Sequence, residues 1–172
     1  MSEKSLFEAQ PVSFGERLAN SQAFADLFRD GMALVEETAT YLDGPGRQES
    51  KKLERAAALA YATESMRLTT RLMQLASWLL LHRAVKEGEM TLTQANREKT
   101  KVKLSAADPG SDEMLEKLPA QLQELIARSM ALQAKVRRLD ATIHAPVTER
   151  AAIGNPLVPQ LNRLKAAFER SR

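Results

Sequence analysis

The chain has two histidines and no cysteine, so histidine chemistry is the first possibility that its residue types allow. His82 precedes the run Arg-Ala-Val-Lys-Glu-Gly, which differs by one residue from the His-Lys-Gly pattern of phosphorylated histidines in helical two-component proteins. It also lies beside a row of leucines rather than on a polar face. We therefore interpret His82 as a packed structural residue, and phosphotransfer through His82 remains an alternative function.

Other arrangements that support chemistry are not visible in the sequence. His144 forms no HxxxH or Glu-x-x-His pair with another residue, which disfavours a metal site. The run Asp43 to Arg47 contains a Gly-x-Gly pattern, but no strand precedes it, so a connecting turn explains it better. There is no carboxylate pair, activated nucleophile, phosphate loop or cofactor fingerprint. We predict a protein that is not an enzyme and that holds no metal and no cofactor.

The charge of the chain suggests a further alternative, which is binding to nucleic acid. The sequence pI is about 9.3, and Lys99 to Lys103 forms a small basic cluster. However, 25 Lys and Arg stand against 22 Asp and Glu, giving a net charge of +3, and the two signs alternate along most of the chain. This pattern is typical of solvated helix faces, so no nucleic acid is expected as a partner, although a helical nucleic-acid-binding module remains an alternative.

The stretch from Tyr61 to His82 carries two apolar rows where an ordinary surface helix carries one. The first, which we call the leucine seam, has helical spacing and consists of Leu68, Leu72, Leu75 and Leu79. The second, which we call the methionine stripe, faces a different side and contains Met66, Met73 and Leu80. One row can serve the core of the chain. The methionine stripe then needs another partner, which could be another helix of the same bundle, a second copy of the chain or a different protein. We expect it to bind a second copy of the chain or another protein.

Arg67, Arg71 and Trp78 lie along one flank of the same helix. Arg and Trp are enriched where proteins bind each other, so these residues are candidate partner contacts next to the methionine stripe. A structural interpretation is equally compatible with the spacing. In that interpretation Glu64 pairs with Arg67 one turn away, and Trp78 packs on the core.

Three long helical patterns and one short pattern place these residues in an all-α fold. Helices are predicted over about 21–43, 50–87 and 118–144, with a short helix over about 92–99, and Ser50 is a candidate cap for the second. The second helix is much longer than most globular helices. Gly31 inside the first pattern indicates close helix packing. We predict a three-helix bundle over 21–144 with one long central helix, and we expect it to form a homodimer.

The two ends of the chain have a different composition. Residues 1–20 are predicted to be an N-terminal arm, and residues 145–172, which are interrupted by prolines and Gly154, a flexible tail. Within the tail, Leu161, Leu164 and Phe168 keep helical spacing among basic residues, so they are candidate contacts for a partner. There is no signal sequence and no apolar run long enough to span a membrane, so a cytoplasmic protein is expected.

Two long sequence blocks resemble the alphaproteobacterial regulator-of-CtrA-degradation family, RcdA. They are GMALVEETATYLDGPGR, from Gly31 to Arg47, and ESMRLTTRLMQLASWLLLHRAVKEGE, from Glu64 to Glu89. The resemblance implies a three-helix bundle that can dimerise and that carries a mobile C-terminal tail. It also implies a non-enzymatic adaptor that helps bring cell-cycle regulators such as CtrA to the ClpXP protease, together with CpdR and PopA, and that is associated with the cell pole. No catalytic residues follow from the resemblance.

Overall fold

A computed structural model of the protein describes residues 21–99 and 111–143, and all regular structure in these ranges is helical. The helices are α1 (Gln22–Asp43), α2 (Pro45–Ser50), α3 (Arg55–Lys86), α4 (Leu92–Lys99), α5 (Asp112–Leu115) and α6 (Ala120–Ile143). The predicted N-terminal arm and the predicted tail, with Leu161, Leu164 and Phe168, lie outside the described residues, as does His144.

The ends of α1 follow from its capping residues. The hydroxyl of Ser21 accepts a hydrogen bond from the backbone N–H of Phe24 at 3.4 Å, and this satisfies a free donor in the first turn. At the other end the N–H of Gly44 donates to the carbonyl oxygen of Thr40. Pro45 occupies the first turn of α2, where its missing N–H costs nothing.

The start of the long helix differs from the sequence prediction. The sequence predicts Ser50 as its cap, but Ser50 is the last residue of α2, and α3 begins only at Arg55 after Glu54 in an extended conformation. Tertiary contacts of α2 explain why α3 does not begin at Ser50. Gly46 of α2 lies against the rings of Tyr41 and Tyr61, and the Tyr41 hydroxyl donates to Glu49 at 2.8 Å, so α2 is held as a separate turn.

Each of the three long helices, α1, α3 and α6, contacts the other two. The leucine seam of α3 is fully buried between them, as its spacing predicts. The close packing expected at Gly31 is confirmed, because a Cβ there would lie 2.5 Å from the Cδ1 atom of Leu79. The protein is an all-α three-helix bundle in which α3, with 32 residues, is the longest described helix.

Of the shorter helices, α2 packs on α1 and α5 packs on α3. α4 packs on α3, and the ammonium of Lys99 at its end lies 2.5 Å from a carboxylate oxygen of Asp140 on α6. Pro119 precedes α6, and its carbonyl oxygen accepts the backbone N–H of Gln123, so the proline is outside the helix interior.

Candidate interaction surface

The methionine stripe lies on the outer face of α3, opposite the leucine seam. Met66 is 72% exposed, Met73 66% and Leu80 53%. These are very high values for large apolar side chains, and single exposed apolar residues are far more common than a row of them. The described residues of one copy of the chain therefore leave the predicted stripe uncovered.

A fourth residue extends this stripe, and it is absent from the sequence prediction. Leu59 is 69% exposed and lies seven residues before Met66, so it falls on the same face of the helix. The spacing of seven between Met66, Met73 and Leu80 continues backwards to Leu59, which is a signal that the sequence contains. From here on, the methionine stripe means Leu59, Met66, Met73 and Leu80.

Small side chains lie between the large side chains of the stripe, and hydroxyl groups among them bond to the backbone of the helix. The hydroxyl of Thr63 donates to the carbonyl oxygen of Leu59 at 3.0 Å, and that of Thr69 to Ser65 at 2.8 Å. The Ser77 hydroxyl donates to Met73 at 2.8 Å. These three hydroxyls therefore already have partners within α3, so covering them removes no unsatisfied donor from water. The stripe can approach another helix closely.

The three flanking residues of the sequence prediction separate in the structure. The side chain of Arg67 is 39% exposed and pairs with Glu64 at 2.6 Å, so it lies beside the stripe. Arg71 and Trp78 are buried, at 3% and 1% exposure. Their prediction as surface contacts is wrong for this fold, because their flank of α3 faces α6 rather than solvent.

Contacts with α6 explain the burial of these two residues. An Nη1 donor of Arg71 binds the hydroxyl of Ser129 at 2.9 Å, whereas its Nε and Nη2 atoms are buried without a hydrogen-bond partner. Burial lowers the pKa of the Arg71 guanidinium, and the carboxylate of Glu64 opposes that shift. The Trp78 indole N–H donates to Asp140 at 2.8 Å. Both residues thus fix α3 against α6.

His82 is fully buried, with no measurable exposure. Its ring stacks on the indole of Trp78 with a centroid separation of 4.0 Å, and its Nδ1 atom lies 2.9 Å from the Trp78 carbonyl oxygen. A ring in this position cannot reach a phosphoryl group on another protein. The structure therefore supports the interpretation of His82 as a packed residue and gives no support to phosphotransfer.

The remaining candidates for chemistry or binding find little support in the described part of the chain. Residues 21–99 and 111–143 contain no group of three His, Cys, Asp or Glu side chains that could hold a metal ion. Within those ranges, no helix has the length and apolar character that a membrane crossing requires. Lys99 of the basic cluster is engaged with Asp140, and the rest of that cluster lies outside the described residues.

Comparisons with known proteins agree with the sequence resemblance. A family model described as "Protein of unknown function (DUF1465)" matches residues 15–168. The crystal structure of RcdA from Caulobacter crescentus CB15 is similar at 51% sequence identity with a TM-score of 0.62, over 74% of this chain and 96% of that chain. The chain belongs to the RcdA family.

This result confirms the resemblance that the two sequence blocks indicate. Both blocks fall within the residues that the family model matches. No curated protein matches the chain. The functional interpretation of this RcdA-family protein therefore depends on the surface described above and on its likeness to RcdA.

Proposed function

We propose that the protein is a non-enzymatic adaptor in regulated proteolysis. In this role it helps deliver cell-cycle regulators such as CtrA to the ClpXP protease, together with CpdR and PopA. An adaptor acts by raising the local concentration of a substrate beside the protease, and this requires binding surfaces rather than catalytic groups. The similarity to RcdA over 96% of that protein's chain supports the proposal.

The observation that carries the proposal in this structure is the methionine stripe. It runs over about 32 Å of helix between Leu59 and Leu80, at about 1.5 Å per residue. Monomeric proteins rarely expose a continuous apolar row of this length, and such rows mark protein interaction sites. α1 and α6 cover the leucine seam, whereas nothing among residues 21–99 and 111–143 covers the methionine stripe, which favours a partner for it outside these residues.

The stripe is best covered by a second copy of the chain, which makes the adaptor a homodimer. Its midpoint lies between Thr69 and Thr70, and a two-fold axis at that point pairs the whole stripe of one copy with the whole stripe of its partner in antiparallel directions. Any displaced axis leaves Leu59 or Leu80 uncovered. The small residues at the midpoint allow close approach of the two helices.

The C-terminal segment provides a second contact point in this proposal. Leu161, Leu164 and Phe168 have helical spacing among basic residues, which is the pattern of amphipathic segments that bind an apolar groove of a partner. We place this contact on the protease or on another member of the delivery complex. Recruitment of the cytoplasmic protein to the cell pole then accompanies assembly of that complex.

A reconstituted degradation assay tests the proposal. CtrA is incubated with ClpXP, CpdR, PopA and cyclic di-GMP, with and without the protein, and its loss is followed over time. We expect faster loss when the protein is present. Met73→Glu places a charge on the stripe and should slow delivery, whereas Ala120→Glu, at the exposed first residue of α6, serves as the matched control.

The outcomes separate the parts of the proposal. An unchanged rate of CtrA loss when the protein is omitted contradicts the adaptor role. If Met73→Glu produces a monomer that still accelerates degradation, the stripe serves dimerisation and delivery uses another surface. The variant Leu164→Ser tests the C-terminal contact in the same assay. Normal delivery of CtrA by this variant would contradict that contact.

A further inference from the structure

A cavity of about 430 Å³ opens between the first turn of α1 and the last turns of α6. No residue of α3 contributes to it, so it is separate from the methionine stripe. The residues around it are Ala23, Leu27, Lys135, Arg138, Leu139 and Thr142.

The chemistry of this cavity is divided between its floor and its rim. Leu27 is buried and Leu139 half-buried, and with the methyl group of Ala23 they form an apolar floor. Lys135 and Arg138 are exposed on the rim. They are three residues apart on α6, so their side chains leave the same face of the helix.

The positive charge on the rim is not neutralised by neighbouring acids in the described part of the chain. Neither Lys135 nor Arg138 forms an ion pair there, and the Nε donor of Arg138 binds only the carbonyl oxygen of Ala134, at 3.4 Å. Asp26 and Asp30 of α1 both pair with Arg29, at 3.2 and 3.4 Å. The two cations are therefore available to a ligand.

The groove continues from this cavity along the α1–α6 interface. A second cavity of about 320 Å³ shares Lys135 with the first and is lined farther on by Ala33, Ala131 and Asp30, whose carboxylate is paired with Arg29. Arg128 also lines it, but it is paired with Glu37 at 2.8 Å. The groove is thus long enough for a helical segment. Its two unpaired cations are Lys135, where the two cavities meet, and Arg138, beside the first cavity.

We infer that the α1–α6 groove binds an acidic amphipathic peptide segment of a partner protein. An apolar side chain of the segment enters between Leu27 and Leu139, and its carboxylates contact Lys135 and Arg138. Helix-in-groove recognition has this form, with apolar residues for affinity and charges for orientation and specificity. The inference goes beyond the adaptor proposal, because it concerns a different face and is tested with the protein alone.

Binding of synthetic peptides to the full-length protein tests the inference by fluorescence anisotropy. The probe is a labelled helical peptide with Leu at helical spacing and Glu on the flanks. One comparison peptide carries Gln in place of every Glu, and another carries Ser in place of every Leu. We expect the first peptide to bind about tenfold more tightly than either comparison, with affinity falling as salt rises.

Protein variants locate the site of binding. The double variant Lys135→Glu, Arg138→Glu should weaken binding of the Glu peptide at least about tenfold, whereas Lys51→Glu, Lys52→Glu reverses two exposed charges elsewhere and should leave it unchanged. Ala23→Trp fills the cavity floor and should also reduce binding. Circular dichroism of each variant checks that the bundle is intact.

Several results would overturn the inference. Absence of binding by the Glu peptide, equal binding by the Gln peptide, or unchanged binding to the double charge reversal would each do so. Loss of self-association in the double variant would assign the groove to a second copy of the chain. Tighter peptide binding after Glu8 and Glu16 are replaced by Gln would assign it instead to residues 1–20 of the same chain.

Discussion

At the scale of single residues, two glycines show how closely the helices of this bundle approach. A Cβ at Gly46 would lie 2.6 Å from the Tyr61 hydroxyl and 2.8 Å from the Cε1 atom of Tyr41. Tyr41 is 1% exposed, and its hydroxyl is bound to Glu49. Burial is the main reason that the pKa of this phenol is well above its usual value, and the bond to Glu49 adds to it. Neither ring can move without breaking other contacts.

We predict that Gly46→Ala destabilises the protein by about 1–3 kcal/mol, the usual cost of overpacking, despite the better helix propensity of alanine. Gly31→Ala is the matched comparison. Its Cβ would meet the Cδ1 end of Leu79, a flexible side chain that can rotate, so a smaller effect is expected. Urea denaturation of the two variants gives the free energies of unfolding. Equal free energies of unfolding for the two variants would contradict the idea that the tyrosine rings at Gly46 yield less than the end of the Leu79 side chain at Gly31.

The packing at Gly31 could be predicted from the sequence, whereas the different positions of Arg67 and Arg71 could not. Close packing at Gly31 was predictable, because a glycine weakens a helix and is best tolerated where a neighbouring helix leaves no room for a side chain. The separation of Arg67 from Arg71 was not. Both are arginines on one flank of one helix, and only the position of α6 makes Arg71 buried and bound to Ser129 while Arg67 stays at the surface.

At the scale of elements, Asp140 connects three helices. It accepts the indole N–H of Trp78 from α3 and pairs with Lys99 at the end of α4. Asp140→Ala leaves the buried indole donor without this acceptor, for which a loss of about 1–3 kcal/mol in the free energy of unfolding is expected. Asp140→Asn retains an acceptor for Trp78 and removes the charge opposite Lys99, so its effect should be smaller.

Hydrogen exchange measures the consequence for α4. We expect faster backbone amide exchange over Leu92–Lys99 in both variants, since both weaken the ion pair that holds the end of α4 on α6. Exchange within the leucine seam should change much less in Asp140→Asn. Unaltered exchange of α4 in Asp140→Ala would show that the packing of α4 on α3 is sufficient to hold it.

Element boundaries mark the limit of local sequence signals. The end of α1 was predictable, because Gly44 and Pro45 both interrupt a helix. The start of α3 was not, because Ser50 has a suitable side chain for a cap and nothing nearby in the sequence forbids one there. Contacts of α2 with Tyr41 and Tyr61 decide that Ser50 ends one helix instead of starting the next.

At the scale of the whole molecule, the bundle presents two surfaces of different chemistry. The methionine stripe on α3 is apolar and carries no charge among its four residues, whereas the α1–α6 groove combines an apolar floor with Lys135 and Arg138. The stripe was predictable from spacing within one helix. The groove was not, because its floor and rim come from two helices that are far apart in sequence, and only their packing brings them together.

The proposed dimer makes a prediction that depends on this whole-molecule geometry. The chain has no cysteine, so one introduced thiol is unique. With a two-fold axis at the midpoint of the stripe, Thr69→Cys faces its own counterpart closely enough for a disulfide, which requires a Cα separation below about 7 Å. Leu59→Cys would lie about 30 Å from its counterpart in the antiparallel arrangement, at about 1.5 Å per residue.

Mild oxidation followed by non-reducing electrophoresis reads out the arrangement. We expect a covalent dimer from Thr69→Cys and none from Leu59→Cys, whereas a parallel pair of helices would cross-link at both positions. Ala134→Cys, at an exposed position of α6, is the control for cross-links that form through random collision of two molecules. Adding Met73→Glu to Thr69→Cys should abolish the cross-link, because a carboxylate would then be buried in an apolar interface. A monomeric mass for the unmodified protein in light scattering, with no cross-link at Thr69, would mean that the stripe is covered by a different protein.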